Sequence, residues 1–132
     1  MKLIQTILLF CCLHVSFGQS HLKPIDFNKL RLQFDDASAE LRPEYIPLLY
    51  RLADTLKKSP NLHLTIRGHV CCVNKNALAV QRAKSVEKYL LQFGVKKEQM
   101  TVVGMRNSMP IANPEKTRED QLTNMRVDFI LR

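Results

Sequence analysis

The chain has 132 residues, enough for one modest core. Lys and Arg outnumber Asp and Glu by 20 to 12, for a formal charge of +8. That basic balance favours anionic surroundings such as cell-wall polymer, lipid head groups or nucleic acid over acidic partners. Its four cysteines form two adjacent pairs, Cys11-Cys12 and Cys71-Cys72, a spacing that excludes a disulfide framework, a CxxC redox motif and a four-ligand zinc site.

Residues 1–18 read as a secretory signal peptide. Met1-Lys2 supplies the positive start, Leu3 to Phe17 is mostly apolar, and Ser16-Phe17-Gly18 places small residues before a cut at Gln19. Phe10 before Cys11 and Cys11 before Cys12 fit a lipoprotein signal poorly. No further apolar run is long enough to span a bilayer, so the mature chain is expected to lack a transmembrane segment. Residues 19–29, polar and carrying Pro24, read as a short linker, and the domain proper is expected over residues 30–132.

Leu30 to Phe34 alternates apolar and polar residues as a first strand, and Asp35 to Leu41 follows as a polar turn. Pro43 suits the first turn of a helix whose apolar stripe is Ile46, Leu49, Leu52, Ala53 and Leu56, with Lys57-Lys58 complementing its negative end and Pro60 stopping it. His63 to Val70 reads as a second, partly buried strand. From Asn76 the residues Ala79, Ala83, Val86, Leu90 and Phe93 recur at spacings of three and four, which predicts a second helix closed by Gly94. Lys96 to Gln99 reads as a short turn, Met100 to Met105 as a third strand, and Arg106 to Asn124 as a long polar connection with one helical turn around Glu119. Met125 to Leu131 closes the chain as a strand with Val127, Phe129 and Leu131 on one face. The order β-α-β-α-β-β predicts an α+β sandwich, two main helices packed on one mixed sheet.

The connector from Gly68 to Lys75 joins a strand end to a helix start, a place where ligands are commonly held. Around His69 there is no nucleophile, base and orienting group in sequence reach, so a structural, hydrogen-bonded histidine and a non-enzymatic chain are expected. Cys71-Cys72 leaves three readings open: reduced thiols packed as small apolar groups, a vicinal disulfide, or a weak soft-metal pair. The arginines and lysines are not interleaved with aromatics, so nucleic acid is not expected as a partner.

Several motifs then occur in order. Phe34-Asp35 and Ser38-Ala39-Glu40-Leu41 precede the first helix, which ends at Ser59-Pro60. Gly68-His69-Val70-Cys71 ends the central strand. Leu78 to Val86 carries Arg82-Ala83, and Pro110-Ile111-Ala112-Asn113 and Asn124-Met125-Arg126-Val127 follow Gly104. Over residues 30–132 this resembles the OmpA-like C-terminal domain family, found in OmpA, MotB and the peptidoglycan-associated lipoprotein. The resemblance implies noncovalent binding of peptidoglycan at the cell envelope, in the periplasm or associated with the outer membrane, with no cofactor and no metal. In that family the Asp of Gly-His-Thr-Asp pairs with the ammonium of diaminopimelate in the peptide stem, and the helix Arg takes a carboxylate.

By that resemblance Arg82 is the carboxylate ligand and Arg126 supports the site. Cys71 stands where the Asp would be and Val70 where the Thr would be, while Asn76 or Lys75 falls at the family's Asn. Asp35, or its neighbour Asp36, is the candidate for the missing carboxylate. Two functions follow: peptidoglycan binding, or an interaction or scaffold domain for envelope proteins that kept the fold and lost the wall ligand, with a redox role open to Cys71-Cys72.

Overall fold

The structure, a computed structural model, describes residues 22–71 and 75–132. The expected signal peptide therefore lies outside the described residues, as does Cys72. The described residues form a four-stranded mixed sheet and three α-helices. In chain order these are β1 (Arg31–Gln33), α1 (Ile46–Lys58), β2 (Leu64–Gly68), α2 (Asn76–Gln92), β3 (Met100–Gly104), α3 (Arg118–Asn124) and β4 (Arg126–Leu131). The α+β class is as the sequence predicts. The expected helical turn around Glu119 is a full seven-residue helix, started by a capping box in which Thr117 and Asp120 each accept from the other's backbone N–H.

The sheet order is β1-β4-β2-β3, with β2 and β3 parallel and β4 antiparallel to both β1 and β2. The parallel pair follows from the α2 crossover, and β4 then inserts into the centre of the sheet. Strand alternation sorts the faces. Leu32, Leu64, Ile66, Val127 and Phe129 turn towards the helices and, with Leu49, Leu52, Ala53, Leu56, Ala83, Val86 and Leu90, make the core. Arg31, Arg67, Arg126 and Asp128 lie on the opposite face, an arrangement in which both sides of β4 are buried for different reasons.

Two details fix the helices. Gln99 is buried, and its side-chain amide donates to the carbonyls of Leu56, Ser59 and Leu62, satisfying acceptors left open where α1 ends. At Gly68, a Cβ would stand 2.1 Å from the carbonyl oxygen of Ala79, so only glycine lets α2 lie this close over β2. Because Arg82 lies three residues beyond Ala79, that contact also sets where its guanidinium goes. The segment expected as a linker already belongs to the fold in part: Phe27 is in the core, and the Asn28 side chain accepts from the Leu131 N–H at 2.7 Å.

Candidate functional site

Three connections meet at one end of the sheet: the loop after β1, the connector after β2 and the long loop after β3. The first and last each place a non-glycine residue in the left-handed region, Ala37 at φ 56° and Arg106 at φ 53°. The connector after β2 is tied by backbone bonds to the loop after β3, Val70 N–H to Arg106 O at 3.1 Å, and to β4, His69 N–H to Arg126 O at 2.8 Å.

Arg82 projects from α2 beneath the first loop and is fully buried. Its Nε donates to Ser38 O at 2.8 Å and its Nη2 to Asp35 O at 3.0 Å, while the Phe34 ring lies 5.3 Å from the guanidinium carbon. The Nη1 group is buried and has no hydrogen-bond partner among the described residues. Burial pulls the guanidinium below its ordinary pKa, opposed by the negative charge of Asp36; an arginine keeps its proton all the same. A fixed, charged donor with one nitrogen group left unpaired among the described residues is suited to a carboxylate. The side-chain oxygen of Asn76, at the first turn of α2, is likewise buried and unpartnered among the described residues.

The two acidic candidates separate cleanly. Asp35 serves Arg82 through its backbone carbonyl, and its carboxylate turns outward to Arg42 at 2.7 Å. Asp36 is the carboxylate that joins the loops: it pairs with Arg118 of α3 at 2.5 Å and with Lys75 of the connector at 3.5 Å. Desolvation is the largest single influence and opposes its ionisation, but Arg118 and then Lys75 together outweigh it and hold its carboxyl below the usual range.

Val70 and Cys71 line a cleft of about 170 Å³ together with Asn107, Ala112, Glu115 and Asn124. Val70 is buried, and Cys71 is disulfide-bonded, its partner lying outside the described residues. The reading of Cys71 as a reduced thiol is therefore set aside, and this position offers no charge. Asn124 organises the cleft wall: its oxygen accepts from the N–H groups of Ile111 and Ala112 and its nitrogen donates to Ala112 O and Glu115 Oε2. Arg126 is buried on the outer face of the sheet, where Nη2 donates to Met109 O at 3.0 Å and Nε approaches Asp128 at 3.3 Å. Its role in the geometry is to anchor the long loop.

Asp128 is the centre of that outer face. Arg67 Nε donates to it at 2.7 Å, and His69 Nε2 stands 3.0 Å away without hydrogen-bond alignment. His69 is thus buried at the strand end as expected, with its ring beside Asp128 but without the expected side-chain hydrogen bond among the described residues. Burial opposes ionisation of Asp128, and the His69 and Arg67 contacts outweigh it, holding the carboxyl below its usual range. The sequence signal for this cluster was the charged residue between Val127 and Phe129, which register sets opposite both Arg31 and Arg67.

The family model described as the OmpA family matches residues 33–124. This chain belongs to the OmpA family. Among curated proteins it is similar to the peptidoglycan-binding protein ArfA of Mycobacterium tuberculosis, 33% identical over 104 residues, covering 76% of this chain and 32% of that protein. It is similar to the outer membrane protein Omp38 of Acinetobacter baumannii at 29% identity, covering 75% of this chain and 29% of Omp38. The chain thus spans about a third of the length of the curated relatives it matches. Among solved structures, the peptidoglycan-associated lipoprotein of Burkholderia pseudomallei superimposes with a TM-score of 0.73 at 29% identity, over 79% of this chain and 91% of that one. The C-terminal domain of Helicobacter pylori MotB does so with a TM-score of 0.69 at 27% identity, over 78% and 84%. The OmpA-like fold is therefore shared along nearly the whole of those domains; Arg82, its loop partners and the Asn124 cleft wall lie within the residues that the family model matches, and Arg126 and Asp128 follow just beyond them.

Proposed function

We propose that this OmpA-like domain is an exported, non-enzymatic module that binds peptidoglycan noncovalently at the cell envelope, with Arg82 receiving a carboxylate of the diaminopimelate in a peptide stem. The observation that carries this reading is the guanidinium of Arg82: two of its nitrogens are fixed by the carbonyls of Ser38 and Asp35, and Nη1 is left buried without a partner among the described residues. Burying a charged donor unpaired is costly, and a ligand oxygen would relieve that cost. The names of similar proteins, ArfA and the peptidoglycan-associated lipoprotein, point the same way. Asn76 and the Cys71 cleft wall would border the bound stem, and Arg126 would hold the long loop in place.

Co-sedimentation with isolated sacculi tests it. The protein is expected to pellet, and Arg82→Lys, which keeps the charge and loses the planar fork, is expected to weaken pelleting at least about ten-fold while remaining folded by circular dichroism. A native protein that stays in the supernatant contradicts the proposal.

The second reading, a scaffold domain for envelope proteins, draws support from Cys71, whose disulfide leaves no negative charge where the family carries Asp. On that reading Arg82 is a structural tie alone, so Arg82→Lys changes stability and leaves sedimentation with sacculi at background for both proteins.

A further inference from the structure

We infer that the site recognises its ligand through carboxylate groups alone and is indifferent to a ligand amine. This rests on the stem-binding reading above and names the chemical class that the site selects.

A ligand ammonium needs an available carboxylate beside Arg82, and Asp35, Asp36, Glu115 and Asp120 at this end of the sheet are already engaged. Asp35 is turned to Arg42. Glu115 accepts from Asn124 at 2.7 Å. Asp120 is held by the N–H groups of Lys116 and Thr117 as the helix cap. Glu40 and Glu119 are solvent-exposed, and among the described residues Asp36 alone contributes a charge felt by Arg82.

Asp36 in turn faces two cations of this chain, Lys75 and Arg118, from two different segments. These partners are tethered and so present at high effective concentration. A ligand ammonium that displaced one of them would exchange one charge-assisted bond for another and gain little. Against the single carboxylate of Asp36, the three cations Lys75, Arg82 and Arg118 leave positive charge in excess, which favours an anion over a zwitterion.

The test is calorimetric titration of the intact protein with two soluble probes. One is the tripeptide L-alanyl-γ-D-glutamyl-meso-diaminopimelate. The other is the same tripeptide with 2-aminopimelate at its third position, which keeps the distal carboxylate and lacks the distal amine. The expected result is that the probe lacking the distal amine binds as tightly as the natural one, within about two-fold, or tighter. A loss of about ten-fold or more on removing the amine overturns the inference and leaves stem binding intact. Asp36→Asn is expected to leave the ratio of the two affinities unchanged. A selective fall for the diaminopimelate probe in that variant would make Asp36 the amine's partner and overturn the inference. Absence of heat and of competition with sacculi for both probes overturns the stem-binding reading, and this inference with it.

Discussion

Replacing Asp128 by Asn removes the one negative charge from a buried cluster that otherwise holds only cationic or ionisable groups. Asp128 is 1% exposed, with Arg67 at 2.7 Å, His69 at 3.0 Å, Arg126 at 3.3 Å and Arg31 at 4.0 Å. The two nearer arginine contacts are charge-assisted, each worth about 1.5–3 kcal/mol. An asparagine oxygen can still accept one of them, which returns part of the loss. Removing one partner from a buried ion pair costs about 3–5 kcal/mol, so a loss near 3 kcal/mol is expected at pH 7.

The pH dependence carries a sign. The folded carboxyl titrates below its unfolded value, so its stabilisation is fully present above about pH 3.9 and is lost as pH falls through the folded pKa. Urea unfolding of both proteins should therefore show a gap that is constant from pH 7 to about pH 5 and closes on further acidification. A variant within about 1 kcal/mol of the native protein at pH 7, or a gap unchanged in strong acid, would refute the reasoning.

Gly68→Ala places a Cβ 2.1 Å from Ala79 O and 2.7 Å from Ala79 C, both backbone atoms, so α2 must lift from β2. A loss of about 3 kcal/mol is expected by thermal melting, and a Tm within about 2 °C of the native value would contradict it. Asn124→Ala removes four hydrogen bonds that hold the loop from Ile111 to Glu115. Amide exchange at Ile111 and Ala112 should accelerate by about ten-fold or more while β2 and β4 stay protected; exchange that is uniform along the chain would show that Asn124 does not act locally.

The elements that the sequence disclosed are those in which hydrophobic period and punctuation agree. Leu49, Leu52, Ala53 and Leu56 mark one helical face with Pro and Lys at suitable ends, and α1 forms there. Alternation through Val127 and Phe129 marked β4, but not that this last strand inserts between the first two in the sheet. Helix α3 is short and opens with an Asp-containing capping box in an otherwise polar loop, so periodicity had little to read.

In the site, Arg82 was visible from its motif. Its partners were not, because Ser38 and Asp35 act through carbonyl groups that any residue could supply. The choice between Asp35 and Asp36 turns on the left-handed Ala37 and on Lys75 and Arg118, which come from distant segments. Asp128 escaped for a related reason: its partners meet it across strands, through register rather than neighbouring sequence.

A stem carboxylate is expected to land on the unpaired Nη1 of Arg82. The most direct measurement follows the side-chain nitrogen resonances of the arginines by NMR during titration with the diaminopimelate tripeptide. A saturable shift of the Arg82 signals is expected, with those of Arg51 on α1 unmoved. Saturable binding that shifts other residues and leaves Arg82 unchanged would contradict it.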